Sequence, residues 1–440
     1  MYSNKDIWSV SYPILLSLLA QNIINVTDTA FLGHVGEIAL GASAMGGLFY
    51  LCVFIVAFGF SSGAQILMAR RNGEGRHEEV GPIMKQGVLF LLILALTMFV
   101  LTKLLGGTLM KGIVSSPAIY ESTMEFLDWR VYGFFFSSVN VMFRAFFIGI
   151  TRTKVLTLNA VVMALVNVML DYGLIFGKLG MPALGIKGAA IASVLAEASS
   201  VCFLLLYTYY TVDLERYGLN RSFSFNPQLL KRMLSISSFM MLQYFLSMGT
   251  WFVFFVAVER LGERELAIAN IVRSIYMILL IPVHALSTTC NSLVSNLIGA
   301  GGTDRVLRLI RKIALFSLSI MLVLVTLTVL FPQQLLLIYS SDESLINGSI
   351  ASVYVIGAGM ILASVSSIVF NGISGTGNTQ AALWLEVGTL IIYGAFIVVV
   401  AMILRASVAV CFTTEILYYS VLLIASLIYL HKAKWQHKTI

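Results

Sequence analysis

Long apolar runs separated by short polar breaks dominate the chain, and the runs are too unbroken to be strands. Residues 88 to 102, VLFLLILALTMFVLT, are continuously apolar, whereas outer-membrane barrels alternate apolar and polar residues over segments of about ten. Such runs are helices that satisfy their own backbone inside a bilayer, each needing about 20 apolar residues. The punctuation predicts helices over 8–32, 39–70, 83–106, 120–150, 154–177, 184–211, 230–259, 265–298, 305–331, 343–373, 378–404 and 407–431. The expected fold class is an all-α polytopic membrane protein with twelve transmembrane helices. Several helices are longer than a bilayer requires, which suggests tilted or kinked spans, and Pro13 and Pro282 lie inside two of them.

Composition narrows the function. With 440 residues, 59% hydrophobic and 11% charged, and a mean hydropathy of +0.92, little chain remains for a soluble domain. That argues against a tethered enzyme with a globular head, and it makes the membrane rather than nucleic acid the reason for the net charge of +7. The N-terminus, MYSNKDIWSVSYPILL, lacks the layout of a removable signal, so the first apolar run is expected to stay as a span. Lys and Arg are retained on the cytoplasmic side of short loops. Eighteen of them fall on the side of the termini and alternate loops, counting Lys434 and Lys438, against seven on the other side. Both termini are therefore expected to be cytoplasmic, with an even number of spans. Cys52, Cys202, Cys290 and Cys411 lie in apolar stretches without C-x-x-C spacing and read as buried small hydrophobes.

The chain also repeats itself. A shift of 226 residues lays 36–75 on 262–301 without a gap, with nine of forty positions identical, and sets Gly73 and Gly75 on Gly299 and Gly301. Six spans per half follow, giving an N-terminal lobe over 1–217 and a C-terminal lobe over 218–440. Two copies with an even number of spans share one orientation and are related by an axis along the membrane normal. Two pseudo-symmetric six-helix lobes facing across a central cleft are the expected architecture.

Acids inside spans mark candidate chemistry, because each costs about 2.5 to 3.5 kcal/mol on insertion scales. Asp28 shares one face of the first helix with Gln21 and Asn25, at i, i+4, i+7 spacing, and that face is expected to look inward. Asp171 follows Asn167 by one turn, and the sixth span carries Ser193, Glu197 and Ser200 at the same spacing. A carboxylate pair among amide and hydroxyl oxygens suits a small hard cation, and desolvation would let it hold a proton instead. The competing reading is that these groups only glue helices together, which an amide could do without the charge penalty. Asn140 and Arg144, one turn apart, and Glu386 and Glu415 in the second half stay open between the two roles. No H-E-x-x-H, Walker A or G-x-S-x-G pattern is present, so no enzyme activity, nucleotide or cofactor is expected. A transport cycle would then draw on an ion gradient or on the substrate's own gradient.

The segment NVMLDYGLIFGKLGMPALGIKGAAIASVLAE (167–197), together with VTDTAFLGHVG (26–36) and SGTGNT (374–379), resembles the multidrug and toxic compound extrusion (MATE) family. The resemblance covers nearly the whole chain. It implies a twelve-helix exporter of the bacterial inner membrane that exchanges Na+ or H+ for organic, often cationic, drugs. By the pattern of the DinF-like branch, it places the cation or proton site at Asp28, Asn167, Asp171 and Ser193, with Na+ ligands among Asp28, Asn167 and Asp171. It also places a helix-1 bend at Pro13. Gln21, Asn25, Glu197, Asn140 and Arg144 would assist with substrate or coupling. The acids that the NorM-like branch carries in helices 7 and 10 are missing here, where Gln243, Ser247, Ser364 and Ser367 stand. The implied partners are a small organic substrate and membrane lipid, with neither nucleic acid nor nucleotide, and a monomer is expected. The alternative is a lipid-linked precursor flippase of the same superfamily, disfavoured because few Lys or Arg lie within the spans. An ion channel would need a pore-lining ring or a re-entrant filter, and the sequence offers neither.

Overall fold

The computed structural model describes residues 2–433 and 435–437, so Lys434 and Lys438 of the charge count lie outside the described residues. The described residues contain helices and no strands. In chain order they are α1 (Asn4–Val35), α2 (Glu37–Gly73), α3 (Val80–Ile113), α4 (Pro117–Arg130), α5 (Gly133–Gly149), α6 (Lys154–Phe176) and α7 (Ile186–Thr211). The second half holds α8 (Pro227–Glu259), α9 (Glu263–Gly299), α10 (Val306–Leu330), the short α11 (Pro332–Leu337), α12 (Glu343–Gly375), α13 (Thr379–Ile397) and α14 (Val408–Lys432). Among the described residues eleven helices are long and apolar enough to cross a membrane, and the bent pair α4–α5, counted as one span, makes twelve.

The expectation of one continuous helix over 120–150 is corrected. The chain breaks at Val131–Tyr132, and α4 and α5 meet at 53°. A new helix starts cleanly at α4, where the Ser116 side chain accepts from the Ile119 N–H and Pro117 occupies the first turn. At the far end of the chain, α13 runs into a π-helical stretch, Val398–Ile403, before α14 begins. Helix α1 is continuous through Pro13. The cysteines are all free thiols; Cys290 and Cys411 are buried, but Cys202 is exposed, because an apolar stretch says how oily a position is and not whether protein or lipid covers it.

The internal repeat holds in the backbone. Both α2 and α9 are 37 residues long and begin after a glycine of positive φ, Gly36 at φ 145° and Gly262 at φ 137°. Both lead through a left-handed glycine, Gly75 at φ 74° and Gly301 at φ 76°, into short 3-10 turns, His77–Glu79 and Thr303–Arg305. A side chain is strained at such angles, so these glycines fix where each half turns back.

By packing the chain divides into two units, one of residues 12–241 and one of residues 1–11 with 242–440. In the first, α2 packs on α5 and α4, and α6 on α7. Small apolar cores form around Phe126, Leu127, Ile186 and Ala190, and around Tyr50, Val131 and Phe134. In the second, α12 is central, packing on α9, α10 and α14, over a larger core that includes Phe254, Tyr276, Met360 and Phe412.

Candidate functional site

Within the first unit, α1 and α6 run side by side in the same direction. The Thr157 hydroxyl donates to the Pro13 carbonyl at 3.2 Å, and near the other ends Phe31 meets Phe176 edge-on at 5.6 Å between ring centres. Between these contacts, Asp28 of α1 faces Asp171 of α6 within hydrogen-bonding reach, so that a proton on either carboxyl can bond the other. Asp171 and Asn167 are buried, at 0% and 1% exposure, and Asp28 is half-buried. Asp28 Oδ1, both Asp171 oxygens and both amide atoms of Asn167 are buried with no other hydrogen-bond partner among the described residues. Buried polar groups are normally satisfied, and an isolated ionised carboxylate in an apolar interior is strongly disfavoured. The four oxygens among these atoms fit a small positive ligand. A proton shared by the pair, or a monovalent cation held by carboxyl and amide oxygens, meets that need; among the described residues no cluster of three or more His, Cys, Asp or Glu suits a metal ion.

The remaining expected residues separate from this pair. Ser193 is half-buried on α7 and makes no hydrogen bond to Asp171. Gln21 and Asn25 are exposed, so of the polar stripe on α1 only Asp28 turns into the helix packing. Glu197 does not join the aspartates. It receives two hydrogen bonds from Arg130, at 2.7 and 3.0 Å, and one shared by both its oxygens from the Tyr50 hydroxyl, at 3.0 and 3.1 Å. Asn140 Nδ2 donates to the Glu197 backbone carbonyl at 3.2 Å, and Ser200 Oγ lies 2.8 Å from the amide oxygens of both Asn140 and Asn159. Arg144 lies over the Phe58 ring at 5.2 Å.

Arg130 and Tyr50 are the residues that the sequence reading did not single out. The Arg130 guanidinium rests 3.5 Å from the centre of the Tyr50 ring, which itself stacks on Phe134. A fork of two charge-assisted hydrogen bonds, with a cation over an aromatic face, is a strong and geometrically specific arrangement. It forms at the α4–α5 break, which carries Arg130 on one side and Gly133 on the other. A Cβ at Gly133 would run into Arg130 Nη1, Glu197 Oε2 and the Tyr50 hydroxyl, so glycine is what lets the fork close there. Arg130 is also near enough to Asp28 to act on its charge. The signal that could have revealed it was the rarity of an arginine inside a span, which asks for a buried acid as partner.

Comparisons with known proteins cover most of the chain. The MatE family model matches residues 13–173 and 240–400, one match in each half. A protein of Synechocystis sp. described as a probable multidrug resistance protein NorM is 25% identical over 381 residues, covering 85% of this chain and 80% of that protein. A structure described as the outward-facing conformation of a multidrug resistance MATE family transporter superposes with a TM-score of 0.89 at 18% identity, over 99% of this chain and 97% of the other. A transporter of the MOP superfamily from Pyrococcus furiosus, whose description reports a binding pocket of reverse polarity and suggests a different function, superposes with a TM-score of 0.90 at 18% identity, again over 99% and 97%. At that identity the two structures speak to the fold.

Proposed function

The chain belongs to the MatE family of multidrug efflux transporters, and from that premise we propose that it is an antiporter of the DinF-like kind, exchanging H+ or Na+ for organic, often cationic, compounds. Its membrane is the bacterial cytoplasmic membrane, with both termini inside. The coupling site is Asp28, Asn167 and Asp171. Gradient-driven exchange needs a group whose occupancy by the coupling ion differs between the two states of the carrier, since an ion with equal affinity for both drives nothing. The single observation that carries the reading is the facing of Asp28 and Asp171 beside Asn167, with their oxygens lacking other partners.

The two carboxyls act as one titrating unit. Emptied of its ion, the pair carries like charges at close range, and α1 and α6 are pushed apart where they meet. Loaded with a proton or a cation, the pair draws the helices together. Arg130, anchored to Glu197, tempers the charge on Asp28 without neutralising it, which keeps the empty state accessible. Substrate release and ion uptake then exclude each other if closure of α1 on α6 removes the space or charge that an organic cation needs.

The test is efflux of a fluorescent organic cation, ethidium, from proteoliposomes under a pH gradient or a Na+ gradient, imposed one at a time. One gradient should drive efflux in the wild type and fail to do so in Asp171→Asn. Equal efflux in the variant and the wild type removes the site assignment, and efflux under neither gradient removes the exchange.

A further inference from the structure

We propose that Glu386 and Glu415, buried together in the second unit, are a proton-binding site separate from the aspartate pair, with H+ as the ligand. Both acids are inside the unit, at 1% and 3% exposure. Glu386 Oε1 accepts from the Ser247 hydroxyl of α8 at 2.6 Å and from the Tyr418 hydroxyl of α14 at 2.8 Å. Glu415 accepts from Tyr276 of α9 at 2.8 Å and from Tyr393 of α13 at 3.1 Å. The Tyr276 hydroxyl also lies 2.8 Å from that of Tyr419. The two acids are joined through the chain neighbours Tyr418 and Tyr419, whose rings meet edge-on at 4.9 Å, and the Tyr393 ring also meets Tyr418 edge-on.

The repeat makes the case. Tyr50 and Tyr276 occupy the same place in the two halves, 226 positions apart, and each donates to a glutamate on the last span of its half. In the first half that glutamate is neutralised by the Arg130 fork. In the second half tyrosines stand around Glu415 instead, and among the described residues neither Glu386 nor Glu415 forms an ion pair. Of the two arginines of α9, Arg273 is exposed and held over the Phe255 ring at 5.0 Å, and Arg264 is exposed and donates to the Ser344 carbonyl at 3.2 Å. Hydroxyl donors weaken the penalty of a buried carboxylate but do not cancel its charge, and such a group settles by taking up a proton.

Two further atoms ask for a donor. Among the described residues Glu386 Oε2 has no hydrogen-bond partner, and neither has the buried Oε1 of Gln243, one turn before Ser247 on α8. A carboxylic acid proton on Glu386 would turn Oε2 from an unmet acceptor into a donor. Facing Glu415, α12 brings the backbone of Gly359 to its stem, and α14 adds the thiol of Cys411 near Tyr393. None of these groups brings a positive charge.

Proton binding here stands apart from the exchange reading above, and only its share in transport rests on that reading. The experiment reads the proton itself, by infrared difference spectroscopy of the full-length protein in lipid nanodiscs across a pH step. The expected result is a carboxylic acid carbonyl band that is lost in part in Glu386→Gln and in part in Glu415→Gln, and that persists in Asp171→Asn. Tyr418→Phe keeps both acids and removes one hydrogen bond, so it should shift the band without abolishing it, which holds even if a glutamine variant fails to fold. A band unchanged in both glutamine variants and in Tyr418→Phe would overturn the proposal. So would loss of the band on adding Na+ at constant pH, which would make the ligand a metal cation.

Discussion

Tyr50 and Tyr276 play the same part in the two halves of the chain, each donating a hydroxyl to a glutamate of the last span, Glu197 at 3.0 Å and Glu415 at 2.8 Å. Their surroundings differ in what remains when the hydroxyl is taken away. Glu197 keeps the two Arg130 bonds, whereas Glu415 keeps only Tyr393, and Tyr419 loses the hydroxyl it meets.

Tyr50→Phe should therefore lower stability by about 1 kcal/mol, and Tyr276→Phe by about 2 to 3 kcal/mol, since a buried acceptor left short of donors carries its full desolvation penalty. Thermal melting of the two variants in the same detergent compares them directly. Equal shifts would mean that the two glutamates are held alike, against the difference in their partners.

The Arg130–Glu197 fork predicts a larger loss. Removing one partner strands a buried charge, so Arg130→Met should destabilise by about 3 to 5 kcal/mol, while replacing both ends, with Glu197→Met added, should recover most of it. A chemical denaturation series on the single and double variants measures the recovery. A double variant as weak as the single one would show that the fork contributes through packing and not through paired charge.

Gly133 gives a steric version of the same test. Because a Cβ there meets Arg130, Glu197 and Tyr50, Gly133→Ala must push the fork open or shift the α4–α5 break, and its melting temperature should fall. A Cβ at Gly394, inside α13, meets nothing within 4 Å, so Gly394→Ala should leave melting unchanged or raise it and serves as the control. Equal melting of both variants contradicts the close packing at the break.

How much of this was legible in the sequence follows from what each residue depends on. Asp28 and Asp171 could be read because a carboxyl in an oily run is anomalous by itself, and Asn167 because it lies one turn from Asp171 on the same helix. The partners of Glu197 could not, since Arg130 and Tyr50 reach it from α4 and α2, and only the tertiary packing decides that. The α4–α5 break escaped notice because Val131 and Tyr132 carry no turn signal, and Gly133 alone is common within spans. The repeat was visible in its glycines, but Tyr50 and Tyr276 look like ordinary apolar-face residues until their hydroxyls are seen on Glu197 and Glu415. Gln21 and Asn25 share a stripe with Asp28 and yet are exposed, since periodicity assigns a face and not what covers it.

The aspartate pair predicts a separation of stability from coupling. In the ion-loaded state one carboxyl of the pair carries a proton or shares a cation, and an amide reproduces the shape and the donor of a protonated acid. Asp171→Asn and Asp28→Asn should then fold at least as stably as the wild type, because each removes the like-charge contact between α1 and α6 while keeping a hydrogen bond across it. Transport should respond in the opposite sense, with gradient-driven efflux falling by more than about tenfold in each, and the double variant no worse than either, as befits two residues acting as one unit. Melting temperature and ethidium efflux from proteoliposomes, measured on the same preparations, test both halves. A variant that melts early and transports poorly would have lost a structural contact, and the pair would then be helix glue and not a coupling site.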